Sequence, residues 1–520
     1  MNQQLDASSA IWRDVVLPDL SPLERNLNAD VCVIGAGIAG LTTAYLLAAA
    51  GKQVVVLEAG SLGGGETGRT SAHLSSVSDD RFAALERIHG EEGARLFAAS
   101  HAAAINEIES IIDRAHIDCD FRRVDGYLFQ PDDEASQTSL KEELAAAQRA
   151  GHHNAKFLDV PPNVGFAIGP CLKFPDQAQF HPLKYIRGLV RGLDAFGTPI
   201  YPHSRVTEVQ GGERAFVETA DGFRVSCEHI VVATNSPFNN RFVLHTKQAS
   251  YRSYVIGLQI PAGTIQQALY WDTLDPYHYI RLDRVDDPDG SKEVLIVGGE
   301  DHRTGQEKEP AERFERLENW ARKRFPTAQN VVSRWSGQIV EPVDGVAFIG
   351  RNPRDEENVY VVTGDSGMGL THGTIAGMLI TDLIQGSKNP WTELYSPGRI
   401  SLRTIGNFAQ ENLNSAAQYI DWVTGSDVSS LEQIEPRSGA VIRSGLHKIA
   451  VYRDQRGEFH QCSAVCPHLG GIVAWNAVEH SWDCPCHGSR FTADGTVING
   501  PAVGNLAEST VLKLPQEVVV

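Results

Sequence analysis

One run of residues limits the fold of this 520-residue chain more than any other. In ADVCVIGAGIAG, the apolar stretch Val31 to Ile34 predicts a short strand, Gly35-x-Gly37-x-x-Gly40 a tight turn, and Ile38 to Ala50 a helix. A second strand, Gln53 to Leu57, closes on Glu58, which completes a βαβ unit. The first glycine makes the turn, the second lets the backbone approach a pyrophosphate, and the third lets helix and strand pack closely. Unpaired N–H groups and the helix dipole favour an anion there. Glu58 lies 18 residues after Gly40, where a carboxylate can accept hydrogen bonds from a ribose. The segment Gly35, Ala36, Gly37, Ile38, Ala39 and Gly40, with Glu58 and Ala59, is therefore a candidate dinucleotide site. The motif alone does not decide between FAD and NAD.

Charge removes other classes. Lys and Arg number 46 against 65 Asp and Glu, a net charge of −19, which disfavours general binding of nucleic acid or anionic membranes. No apolar run approaches the ~20 residues of a membrane span. The N-terminus has neither a basic start nor an apolar stretch, so no signal peptide is expected and the cytoplasm is the expected location. Eight cysteines are too few for a disulfide scaffold.

Helical spacing is predicted over 92–118, 134–150 and 182–196, with sheet over 251–300. Val359 to Val362 predicts a strand, followed by the turn TGDSGMG and a helix from about His372 to Ile384. Residues 386–400, with Gly386, Pro390, Pro397 and Gly398, read as a linker, and 404–423 as a polar amphipathic helix.

Four cysteines crowd into the span from Cys462 to Cys486. The pattern Cys466-x-His468, fifteen residues, Cys484-x-x-His487 takes one Cys and one His from each of two loops. Two Cys and two His also suit Zn²⁺, but in zinc fingers like ligands usually pair. The observed division suits a [2Fe–2S] cluster with two thiolates on one iron and two imidazoles on the other. The flanks, Trp482 to Phe491 and Asn499-Gly-Pro501-Ala502, resemble a Rieske domain over about 426–515, the latter resembling the loop that covers the cluster. Gly471 stands where many such domains have a cysteine bonded to the spare cysteine of the second loop, so the resemblance implies a free Cys486. Ser489 stands where a hydroxyl bonds a cluster sulfide, and Phe491 where a Tyr is common.

The rest of the chain resembles the flavoprotein oxidoreductases similar to D-amino-acid oxidase, glycine oxidase and sarcosine oxidase. The likeness rests on the βαβ unit, on Gly65-Glu-Thr-Gly68-Arg69-Thr70-Ser71, on Ile230 to Asn235 and on Val359 to Gly373. It implies FAD, held also by Gly68, Arg69, Thr70, Ser71, Val206, Ala233, Thr234, Gly364, Gly367, Met368, Gly369 and Leu370. The implied architecture is a glutathione-reductase-type, Rossmann-like α/β FAD domain (30–90, 172–245 and 335–386). An α+β antiparallel-sheet substrate domain (91–171 and 246–334) covers it. An arm (1–29), a linker with helix (387–425) and a small all-β Rieske domain (426–515) complete the chain.

Tyr251, Arg252, Tyr277, Tyr279 and Arg281, with His372, are candidates for the substrate pocket, because such pockets hold a carboxylate with Tyr and Arg. D-amino-acid oxidases commonly place an Arg where this chain has Ile339, while Glu341 nearby could attract a cation. The resemblance as a whole is to bacterial fusions of such an FAD domain with a Rieske domain. It implies a dehydrogenase acting on a C–N bond of an amine, an N-methylated compound or an amino acid, with electrons passed singly to an acceptor protein or quinone. An H₂O₂-forming oxidase, a reductase fed by a ferredoxin and a redox sensor are the alternatives.

Overall fold

The computed structural model describes residues 8–12, 15–130, 137–159, 169–239, 244–287, 290–400, 405–422 and 424–512. The first strand runs Leu27–Ile34, and its last four residues are buried on both faces, as an interior parallel strand requires. It pairs in parallel with Val54–Leu57 and with Arg224–Val232, so that Ile34 stands beside both Leu57 and Val232. Val359–Thr363 extends the array on one side and Ile200–Tyr201 on the other. Phe348–Arg351 closes one edge antiparallel. The helices Ile38–Ala49 and Gly369–Ile384 pack against each other so closely that a Cβ at Gly373 would stand 3.0 Å from Ile38 Cγ2. Their N-termini thereby point into one space above the C-terminal ends of the parallel strands.

A second sheet has the order Val331–Pro342, Gln248–Ile260, Gly290–Arg303, His278–Asp287, Leu269–Asp272, Arg122–Phe129, Cys171–Gln179, His73–Leu74. All its neighbours are antiparallel except Leu269–Asp272 with Arg122–Phe129. Three segments that fall wholly or largely within the expected FAD-domain bounds, His73–Leu74, Cys171–Gln179 and Val331–Pro342, are strands of this second sheet. The chain crosses between sheets at their ends: His181, two residues after Gln179, accepts the Lys184 N–H and caps the helix Pro182–Ala195.

The segments read as an arm and a linker are packed where they are described. In the arm, Trp12 is 2% exposed, donates from Nε1 to Thr70 O at 2.9 Å and packs on His181. Residues 386–400 are docked against the FAD portion rather than free: Tyr395 is fully buried with its hydroxyl 2.7 Å from Ser100 Oγ, and Arg399 pairs with Asp344. Gly and Pro there mark turns in a packed segment. The helix starting at Phe82 runs to Ala115 across a kink at Gly90, whose φ is +76°.

The C-terminal part is built of two small antiparallel sheets. One comprises Ser438–Ser444, His447–Arg453 and Phe459–Ser463, the other Ala474–Asn476, Ser481–Asp483, Arg490–Thr492 and Val497–Asn499. The helix Ile405–Ala417, continued by the 3₁₀ turn Gln418–Trp422, leads into it. No described helix is long and apolar enough to cross a membrane.

Replacing Trp12 by alanine is expected to cost about 3–5 kcal/mol. The thermal midpoint of the FAD-loaded protein measures this, and an unchanged midpoint would show the arm to be dispensable.

Candidate functional site

The two helix N-termini open on a cavity of about 330 Å³. Gly35 enters the turn at φ +109°, and a Cβ at Gly40 would lie 1.9 Å from Gly35 O, so only glycine closes this loop. Gly35, Gly37, Ile38, Ala39, Glu58 and Ala59 line the cavity, while Ala36 and Gly40 lie behind it. Glu58 accepts the N–H groups of Ala36 at 2.7 Å and Gly60 at 2.8 Å, which fixes the carboxylate at the rim of the loop. Thr67 Oγ1 accepts the Ile38 N–H at 3.0 Å, a contact across 29 residues that holds the second glycine segment over the first. From that segment Arg69, Thr70 and Ser71 line the cavity, as do Val206, Ala233 and Thr234. Gly367, Met368, Gly369 and Leu370 form the wall at the second helix start. Gly68 and Gly364 shape their turns without lining it. A cleft with two helix N-termini and a ribose-height carboxylate fits a cofactor carrying a pyrophosphate.

The pocket candidates separate. Tyr279 and Tyr277 line the cavity. Arg281 does not: it is fully buried, donates to Ala72 O at 2.9 Å and is neutralised by Asp283, two residues on along the same strand face. Tyr251 lies away from it, with its ring under Arg303 and its hydroxyl directed at Glu411 of the linker helix. Arg252 is fully buried at the junction with the C-terminal part. His372 lines the cavity, but both ring nitrogens meet protein groups: Nδ1 lies 2.9 Å from Asp365 O and Nε2 3.2 Å from His101 Nε2. His101 Nδ1 in turn lies 2.9 Å from Thr371 Oγ1, whose hydroxyl donates to Met368 O at 3.1 Å, so both imidazoles are tied to the helix start. Burial pushes His372 down to about 4, so the ring is neutral. His372 holds the helix start and has no free nitrogen to act as a base.

In the C-terminal part each ligand pair sits on its own turn. The Cys466 N–H donates to Gly471 O at 2.8 Å and the Cys484 N–H to Ser489 O at 2.8 Å. Cys466 and Cys484 are each 2% exposed, and the rings of His468 and His487 stand perpendicular with centroids 5.1 Å apart. Among the described residues, the three or more Cys, His, Asp or Glu donors found within 4.8 Å of one another are Asp454, Glu458 and His460. The Cys466 and Cys484 thiols lie together, and the two imidazoles form a pair of their own. Paired buried thiols with a separate pair of imidazoles fit the binuclear centre. Ser489 stands beside the Cys466 thiol and accepts the Ala502 N–H at 3.1 Å. None of the eight cysteines is in a disulfide. A Cβ at Gly471 would stand 2.6 Å from Cys486 Sγ, so this glycine lies against a cysteine that is a free thiol. Phe491 is fully buried in the apolar core with Trp482 and brings no hydroxyl to the centre.

The two sites share a wall. Ile498, Asn499, Gly500, Ala502 and Val503 line the cavity. Asn499 Nδ2 donates to Glu66 Oε1 at 2.9 Å. Gln338, also in the wall, donates from Nε2 to Gly488 O at 2.8 Å, one residue beyond His487. His245 lies edge-on to His468, with ring centroids 4.9 Å apart. The junction is pinned by Glu479, 3% exposed, which faces Arg69 at 3.0 Å, Arg252 at 3.1 Å and Arg490 at 3.6 Å and accepts the Ser336 hydroxyl. Burial alone would raise this carboxyl, but Arg252, Arg69 and Arg490 hold it well below the usual carboxylate range. Nothing in the sequence marked the 498–503 loop as facing the cavity. The motif there signals only a cluster-covering loop.

Exchanging Glu479 for glutamine leaves buried guanidinium charge uncompensated and is expected to cost about 3–5 kcal/mol. Thermal unfolding read by flavin release checks this. The depressed carboxyl stabilises fully above the ordinary carboxylate range and loses its contribution as pH falls through its lowered pKa. The glutamine form should therefore be less sensitive to acid.

A family model for FAD dependent oxidoreductases matches residues 30–383, and one for the Rieske [2Fe-2S] domain matches 422–511. The chain is 30% identical to YhfW of Bacillus subtilis, named as a Rieske 2Fe-2S iron-sulfur protein, over 97% of this chain and 98% of that protein. It is 27% identical to the gamma-glutamylputrescine oxidoreductase of Escherichia coli over 70% of this chain and 85% of that one. Among solved structures, glycine oxidase from Geobacillus kaustophilus superimposes with a TM-score of 0.59 at 16% identity, covering 72% of this chain and all of that one. The FAD cavity, the two-loop ligand set and these matches agree: the chain belongs to the FAD-dependent oxidoreductase family and carries a C-terminal Rieske [2Fe–2S] domain.

Proposed function

We propose that the protein dehydrogenates a carbon–nitrogen bond of an amine or amino-acid-like small molecule, and that the electrons leave one at a time through the cluster to an external acceptor protein or quinone. The observation that carries this is the shared wall: Ala502 borders the cavity and bonds Ser489, which stands beside the ligand Cys466. When bound, FAD accepts a hydride from a C–H next to nitrogen and the [2Fe–2S] centre carries single electrons. The residues of the chain supply position and environment. The glycine loop and the N-terminus of Ile38–Ala49 are suited to hold the pyrophosphate, and the N-terminus of Gly369–Ile384 favours negative charge at the cavity wall. Tyr279 and Trp271 line the space where a substrate can lie. The 498–503 loop and Gln338 form the wall between the two sites. Beyond the two cluster ligands, the six other cysteines are thiols, which supports the cytoplasmic expectation.

The test is low-temperature EPR of the anaerobic protein before and after adding a pool of secondary and tertiary amines and amino acids. A reduced Rieske signal that appears with substrate, together with flavin bleaching, is expected. Bleaching with a loaded but silent cluster would sink the proposed route and favour the oxidase reading.

The Ser489 hydroxyl tunes the cluster in this reading. A hydrogen bond to a charged group contributes about 1.5–3 kcal/mol, so replacing Ser489 by alanine should lower the cluster potential by roughly 65–130 mV for one electron. A potentiometric titration followed by EPR measures this shift.

A further inference from the structure

Resting on the reading that the cavity dehydrogenates an amine, we propose that its substrate is an organic ammonium compound with no carboxylate on the reacting carbon, recognised by Asp79 and the rings of Tyr277 and Tyr279.

The cationic side chains that line the cavity are committed elsewhere. Arg69 donates to Ser336 O at 2.9 Å and pairs with Glu479. Arg205 donates to Val497 O at 3.1 Å. The two arginines on neighbouring strands that might have gripped a carboxylate are buried in ion pairs, Arg281 with Asp283 and Arg252 with Glu479. The histidines add no charge, because burial pushes His73 down to about 3 and His372 to about 4. Among the described residues lining this space, none offers an uncommitted cation to a substrate carboxylate.

Asp79 is placed oppositely. It borders the cavity, and its Oδ2 accepts the Tyr277 hydroxyl at 3.2 Å. A Cβ at Gly367 would lie 2.7 Å from the same oxygen, so the carboxylate sits against the turn that starts the second cavity helix. Among the described residues it has no ion-pair partner. Enclosure by protein on its other sides, and the charges of Asp80 and Asp301, lift its carboxyl to about 7. An adjacent cation is the missing counter-charge.

Aromatic walls stand beside it. The rings of Tyr277 and Tyr279 have centroids 5.7 Å apart, and Trp271 faces Tyr279 across the strand pair. The backbone has been cleared for them: a Cβ at Gly298 would lie 2.1 Å from the Tyr279 ring, and one at Gly126 would lie 2.8 Å from Trp271. A carboxylate next to exposed aromatic faces is the combination that holds alkylated ammonium groups, through charge and cation–π attraction.

The experiment titrates the full-length, FAD-loaded, oxidised protein with two unreactive probes of similar shape and opposite charge, benzyltrimethylammonium and benzoate. Binding is read as a perturbation of the flavin absorbance. The ammonium probe is expected to bind more tightly than benzoate, with a Kd raised about tenfold or more by Asp79→Asn and largely kept by Asp79→Glu. Equal or tighter binding of benzoate, binding of neither probe, or a Kd unmoved by Asp79→Asn in protein with an unchanged thermal midpoint would overturn the proposal. Selective ammonium binding without oxidation of any amine would instead overturn the dehydrogenase reading and leave the recognition intact.

Discussion

The Rieske domain meets the rest of the chain where one buried carboxylate faces three guanidinium groups. Glu479 comes from the cluster domain, Arg69 from the glycine segment over the cavity, Arg252 from the second sheet and Arg490 from the strand after the second cluster loop. Buried ion pairs seldom add much net stability, since desolvation offsets most of the attraction. What they impose is geometry: the charges are tolerable only when all partners arrive together. This arrangement fixes the orientation that brings Gln338 to Gly488 and Asn499 to Glu66, and so sets the wall between the two cofactor sites.

The cavity shows a consistent electrostatic division. Where anionic phosphate groups are expected, the chain offers backbone N–H groups and helix N-termini. Where a substrate is expected, it offers tyrosines, a tryptophan and a carboxylate, with the imidazoles held neutral by burial. The His101–His372 pair belongs to this division: it keeps polar groups satisfied beneath the helix start without adding charge. Hydride transfer to a flavin depends more on alignment than on a strong base, and the proposed chemistry therefore does not call on either imidazole.

Much of this was legible in the sequence because the signals were local. The glycine loop, its two strands and the helix from Ile38 follow from residues adjacent in the chain, and the cluster ligands from spacing within two short turns. The misplacements share a cause in non-local packing. Arg281 reads as a carboxylate anchor until Asp283 is seen beside it, and Tyr251 as a pocket residue until the strand places it at Glu411. The Gly and Pro content of 386–400 signals turns, but cannot show that Tyr395 fills a buried slot beside Ser100. Trp12 lies in a segment without periodicity, and only its partners Thr70 and His181 reveal it as core.

The loop from Ile498 to Val503 serves two masters: one face closes over the cluster turns and the other forms part of the flavin cavity. Neither cofactor site is therefore a self-contained module. The Ala502 N–H on Ser489 Oγ ties the cavity wall directly to the second cluster turn. The fusion of the two domains is thus written into one short loop, and a change in that loop is a change to both sites at once.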